Sequence, residues 1–184
     1  MTWLVAVLIV SLLVSVLRGG KLSNLPDIHA RAWWLLFIGF GMQIVANAVS
    51  ESRLAISLML VSYIVLLVMV WMNRSEAGMW IAGIGLLMNF TVISLNNGMP
   101  VLPEAITLAG GSPDIVFGAK HVLLDQSSRL PFLADVIPLP GSVISLGDVF
   151  LAVGLGVFIE DQLKQPLRLF RHRVQGVPGS AAER

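Results

Sequence analysis

Asp148 is the only charged side chain in the apolar run from Val136 to Ile159. A carboxyl group in such a setting has three options: it is protonated, ion-paired or hydrogen-bonded. No Lys or Arg lies inside the apolar runs, so a cation would have to reach down from Arg53, Lys120 or Arg129. Amide partners are closer to hand. Gly39, Gln43 and Asn47 stand at i, i+4 and i+8, and Gly85, Asn89 and Asn96 at near-helical spacing, so each set falls near one face of a helix. If these faces converge on Asp148, the result is a polar pocket of Gln43, Asn47, Asn89, Asn96 and Asp148, with Arg129 within reach. Such a pocket could bind a ligand, handle a proton or form a structural hydrogen-bond network. Direct acid–base catalysis at Asp148 requires a second carboxyl sharing its proton, and Asp125 and Asp135 are the candidates. His121 and Asp125, at i and i+4, would lie side by side on a helix, a spacing that also suits a metal or a base pair. A solvated loop face is the simpler reading of two residues.

Other chemistries lack their residues. Cysteine is absent, and there is no HExxH, no GxSxG and no phosphate-binding glycine loop. The expectation is no metal, no cofactor and no nucleic-acid partner.

The elements that must position these groups follow from composition. Of 184 residues, 56% are hydrophobic and 12% charged, about half the charged share of an ordinary soluble domain. The mean hydropathy is +0.84. This composition argues for an all-α, multi-pass bundle in a lipid bilayer, in which backbone groups must satisfy one another within helices. Five spans are expected, at about 1–17, 32–50, 54–73, 77–98 and 142–162, as one domain over 1–165 with a basic tail over 166–184. The first span reads as a retained anchor, because Arg18-Gly19-Gly20-Lys21 follows it where a small-residue cleavage site would stand. Nine Lys and Arg residues fall on one side of this arrangement and Arg53, Lys120 and Arg129 on the other. The richer side is expected to be cytoplasmic, with the N-terminus outside and the C-terminus inside a bacterial cell membrane. Trp33, Trp34, Trp71 and Trp80 then fall at cytoplasmic ends and Trp3 at the outer end. Gly83, Gly85, Gly147, Gly154 and Gly156 are expected to let helices approach closely.

One long connection, 99–141, lies on the outer side. Its apolar residues and its prolines (Pro131, Pro138, Pro140) predict one or two short interfacial helices and an extended return, together capping the bundle.

Two resemblances bear on this reading. Asn96-Asn97-Gly98-Met99-Pro100-Val101, His121-Val122-Leu123-Leu124, Leu130 to Pro138 and Ser145-Leu146-Gly147-Asp148 together resemble a bacterial membrane-protein family, domain of unknown function 5317. The likeness covers most of the chain up to the tail and implies an integral membrane protein without an assigned activity. Locally, Ser145 to Asp148 with Gly154 and Phe158-Ile159-Glu160 is similar to the last helix of lipoprotein signal peptidases. That similarity implies a catalytic aspartate at Asp148. The preceding helix, Asn89 to Asn96, holds no acid, so Asp125 or Asp135 would have to supply the second one.

Three function classes follow. The leading one is a non-enzymatic membrane protein that binds a small amphiphile or a membrane-protein partner through the outer-facing polar pocket. The alternative is an intramembrane aspartyl peptidase-like enzyme using Asp148. A transporter subunit is third; one buried acid and no inverted repeat weigh against it.

Overall fold

Helices form where the chain offers long apolar runs free of proline. In chain order they are α1 (Thr2–Leu17), α2 (Trp34–Ala48), α3 (Ser52–Met72), α4 (Met79–Asn96), the short α5 (Pro103–Leu108) and α6 (Leu146–Lys164). The structure is a computed structural model and describes residues 2–27, 30–111 and 120–164; for 2–5, 8 and 25–27 only the backbone is described. The expectations for Trp3, for 112–119 of the long connection and for the tail over 166–184 therefore lie outside what is described.

The fold is mostly helical, and among the described residues two helices, α3 and α4, are long and apolar enough to cross a membrane. The remaining long helices differ for identifiable reasons. α1 has 16 residues and α2 has 15, whereas α6 has 19 but carries Asp148, Glu160, Asp161 and Lys164. α2 packs on α3, α3 on α4, α4 on α6 and α6 on α1. The core of this row is built from Ala46, Met59, Tyr63, Leu66, Leu86, Val92 and Ile93, with Met99 and Leu133 closing it from the loop side.

The α4–α6 crossing is the tightest. A Cβ on Gly85 would collide with the Gly147 carbonyl and Leu151 N, and one on Gly154 with the backbone of Ala82 and Gly78. Glycine is thus required at Gly85, Gly147 and Gly154 for the two backbones to touch. α4 ends where Asn97 takes a left-handed conformation (φ 51°) and the Gly98 N–H donates back to Ile93 O over 3.2 Å. Asn tolerates that conformation at a modest cost, so Asn97-Gly98 both stops the helix and turns the chain into the loop.

The long connection holds a short helix and an extended second half, together with strand pairing that spacing alone does not specify. Among its described residues α5 is the one α-helix, six residues long, and Pro131–Leu133 forms a single 3-10 turn. β1 (Met99–Val101) and β2 (His121–Leu123) pair in parallel, and β3 (Ile137–Leu139) and β4 (Ser142–Ile144) form a hairpin. Pro100 and Pro138 lack the N–H a helix interior needs, whereas β-branched Val and Ile suit short strands. The hairpin turns on Pro140-Gly141, with Gly141 at φ 77°, the pairing of residues a type II turn requires. The last helix accordingly starts at Leu146, not at 142.

Candidate functional site

The polar groups meet where the N-terminus of α6 crosses α4. Ser145 precedes the first turn of α6, and its Oγ accepts from the Asp148 N–H over 3.0 Å. In return the Ser145 N–H donates to Asp148 Oδ2 over 3.1 Å. This reciprocal pair is a capping box, Ser-x-x-Asp, satisfying two backbone donors that the start of a helix otherwise leaves bare. Asn89 on α4 joins it from across the crossing. Its Nδ2 donates to Asp148 Oδ1 over 2.8 Å, and its Oδ1 accepts from Ser145 Oγ over 2.9 Å. Asn89 and Ser145 are both buried. Gly147 makes this possible, because a Cβ there would strike Asn89 Oδ1. Tyr63 of α3 is buried next to Asn89 and within electrostatic reach of Asp148 and Asp135.

The capping box was not part of the sequence reading, although Ser145-Leu146-Gly147-Asp148 directly before an apolar run is its signature. It gives Asp148 a structural role in starting α6. It does not exhaust the carboxylate: an ionised carboxyl offers about four acceptor positions, and the capping box and Asn89 fill two.

Asp148 lines a cavity of about 600 Å³ bordered by α2, α3, α4 and α6. Gln43 and Tyr63 also line it, and the remaining wall is apolar, including Leu36, Phe40, Leu66, Met79, Leu86, Leu155 and Phe158. From Asp148 to Phe158 the wall runs along about 15 Å of α6 at 1.5 Å per residue.

The other residues singled out from the sequence take different places. Asn47 is exposed and donates to Gln43 O within its own helix over 2.8 Å. Asn96 faces the loop: its Oδ1 accepts from Arg129 N over 2.7 Å and its Nδ2 donates to Arg129 O over 2.9 Å. Arg129 thus enters through its backbone, and its side chain is exposed. Asn73 holds the backbone of Arg31 by the same two-bond clamp at the opposite end of the bundle.

Asp125 is exposed at a loop tip, where its Oδ1 accepts from Ser127 N and Ser127 Oγ. Those bonds hold its carboxyl below the usual range. His121 lies on β2, not on a helix with Asp125, which corrects the side-by-side arrangement. Burial, with Lys120 adjacent, lowers its imidazole to about 4, so it is neutral near pH 7. Asp135 is buried; its N–H donates to Pro100 O and its carbonyl accepts from Leu102 N, while Oδ1 has no partner among the described residues. Burial pushes its carboxyl well up, the charge of Asp148 adds to this, and Lys120 opposes it. Asp135 and His121 line a second cavity of about 450 Å³ inside the cap. Among the described residues no hydrogen bond joins Asp135 to Asp148, and no group of three His, Asp or Glu side chains could hold a metal.

Comparison with known proteins gives kinship without an activity. A model of a family described as of unknown function, DUF5317, matches residues 27–160. A protein of Thermotoga maritima described as uncharacterized is 28% identical over 161 residues, covering 84% of this chain and 89% of that protein. No solved structure matches.

Proposed function

Because the chain belongs to the DUF5317 family, whose function is unknown, we propose a role from the site itself: an integral protein of a bacterial cell membrane that binds a small amphiphile in the cavity between α2, α3, α4 and α6. The observation that carries this is the cavity's make-up, a largely apolar wall with Asp148, Gln43 and Tyr63 as its few polar groups. Its volume lies within the range of small-molecule pockets, and its polar groups are few and grouped, as ligand orientation requires.

The membrane setting rests on the outward faces of the helices. Leu13, Phe37, Ile44, Val61, Ile64, Leu87 and Val153 are all exposed, as are Trp33, Trp71 and Trp80. Apolar surface on this scale needs cover, and in this reading the cover is lipid around five spans, α1 to α4 and α6. Trp71 stacks edge-on with Trp80, and Arg74 lies 4.7 Å from the Trp71 ring, a grouping suited to the headgroup level. The N-terminus is then outside and the cap sits on the outer face.

The peptidase alternative is weaker. Asp125 is engaged at a loop tip, and Asp135 and Asp148 line different cavities without a shared hydrogen bond. An aspartyl mechanism needs two carboxyls holding one proton between them.

The test is photo-crosslinking of a diazirine-bearing dodecyl amphiphile to the purified protein, followed by peptide mapping. Labelling concentrated on α2, α3, α4 and α6, and reduced by Leu155→Trp, supports the assignment. Labelling spread over the outer faces and indifferent to that substitution overturns it.

A further inference from the structure

We infer that the head group of this amphiphile is a protonated amine. The inference rests on the amphiphile-binding reading above and specifies its ligand class. The cavity wall contains a carboxyl, Asp148, and no Lys, Arg or His among its described residues. The capping box and Asn89 occupy one acceptor position on each Asp148 oxygen, so about two of four remain for a donor inside the cavity. An ammonium group supplies three N–H donors and a positive charge, and a hydrogen bond between ions is about twice as strong as one between neutral groups.

The surroundings favour the same sign of charge. Lys120 is the one described cation within electrostatic reach of Asp148; it stands outside the cavity wall and is shared with Asp135. A carboxylate or phosphate head would face Asp148 with no lining cation to neutralise it, an arrangement disfavoured in a low-dielectric cavity. Tyr63 also lines the cavity and lies within electrostatic reach of Asp148, and aromatic faces attract cations and repel anions.

The experiment is native mass spectrometry of the full chain in a non-ionic detergent with three probes of equal chain length offered together: dodecylamine, dodecanol and dodecanoate. The expected result is amine adducts exceeding dodecanoate adducts by about tenfold or more, with Asp148→Asn bringing the two within about threefold while dodecanol binding persists. Dodecanoate bound as well as the amine in the native chain overturns the amine inference and leaves the amphiphile reading standing. Failure of all three probes to bind, or binding of all three unchanged in Leu155→Trp, overturns the reading itself. If Asp148→Asn does not fold, the ranking of probes on the native chain decides alone.

Discussion

Asn89 holds two groups at once, the Asp148 carboxyl and the Ser145 hydroxyl. Replacing it with Leu leaves both buried or half-buried groups short of a partner, a loss of about 1–3 kcal/mol. Thermal unfolding in detergent should show Asn89→Leu well below the native chain, with Ser145→Ala, which loses the cap, costing about 1 kcal/mol. Two cap residues make stability depend on pH with opposite signs. His121 is neutral in the fold down to about pH 4 and has an ordinary value of 6.5 when unfolded. Its contribution is therefore full above pH 6.5 and is lost as pH falls toward 4. Asp135 has a raised folded value, so its contribution is full below the ordinary carboxyl value of 3.8 and is lost as pH rises through the folded one. Between about pH 4 and 6.5 the two terms oppose each other. His121→Gln should leave the Asp135 term alone, so proteolysis of the cap in that variant should quicken steadily as pH rises from the ordinary carboxyl value of 3.8.

The α4–α6 crossing depends on missing side chains. Gly147→Ala drives a methyl into Asn89 Oδ1 and should cost about 2 kcal/mol through overpacking. Gly41 on α2 has nothing near its missing Cβ, so Gly41→Ala should be neutral or gain up to about 1 kcal/mol from helix propensity. Equal effects in the two variants would refute a glycine-dependent crossing. The cap is tied down by its backbone, and Asn96→Ala removes both bonds to Arg129. Faster nicking near 125–129, with the melting of the bundle unchanged, is the expected outcome. At this scale the sequence was informative about helices and silent about the strand pairing of the cap. Prolines and β-branched residues in 99–144 do not reveal which partners short strands will find, since β1 and β2 pair across a connection of nineteen residues, 102–120.

Across the whole molecule, the row α1–α6–α4–α3–α2 leaves α2 and α6 facing each other over the cavity. The five-span arrangement predicts opposite sides for the cap and the α3–α4 turn. With no native cysteine to interfere, a membrane-impermeant thiol reagent applied to intact cells should label Gln126→Cys and spare Ser75→Cys. Labelling of both, or of the second alone, would invert or dissolve that topology. The residue sequence by itself determined where the long helices lie, because an apolar run of that length has few other ways to bond its backbone. It determined the stop after α4 for a similar reason: Asn97-Gly98 admits the left-handed turn that most residues resist. Only the tertiary structure decided which polar groups meet. Gln43 and Asn47 share a face by spacing, yet each four-residue step drifts by about 40°, and one lines the cavity while the other is exposed. Asn89 and Asn96 share a helix, yet one holds Asp148 and the other the backbone of Arg129. Helix faces that meet lipid and faces that meet another helix are equally apolar, so spacing along one helix leaves its neighbour undetermined until the helices pack.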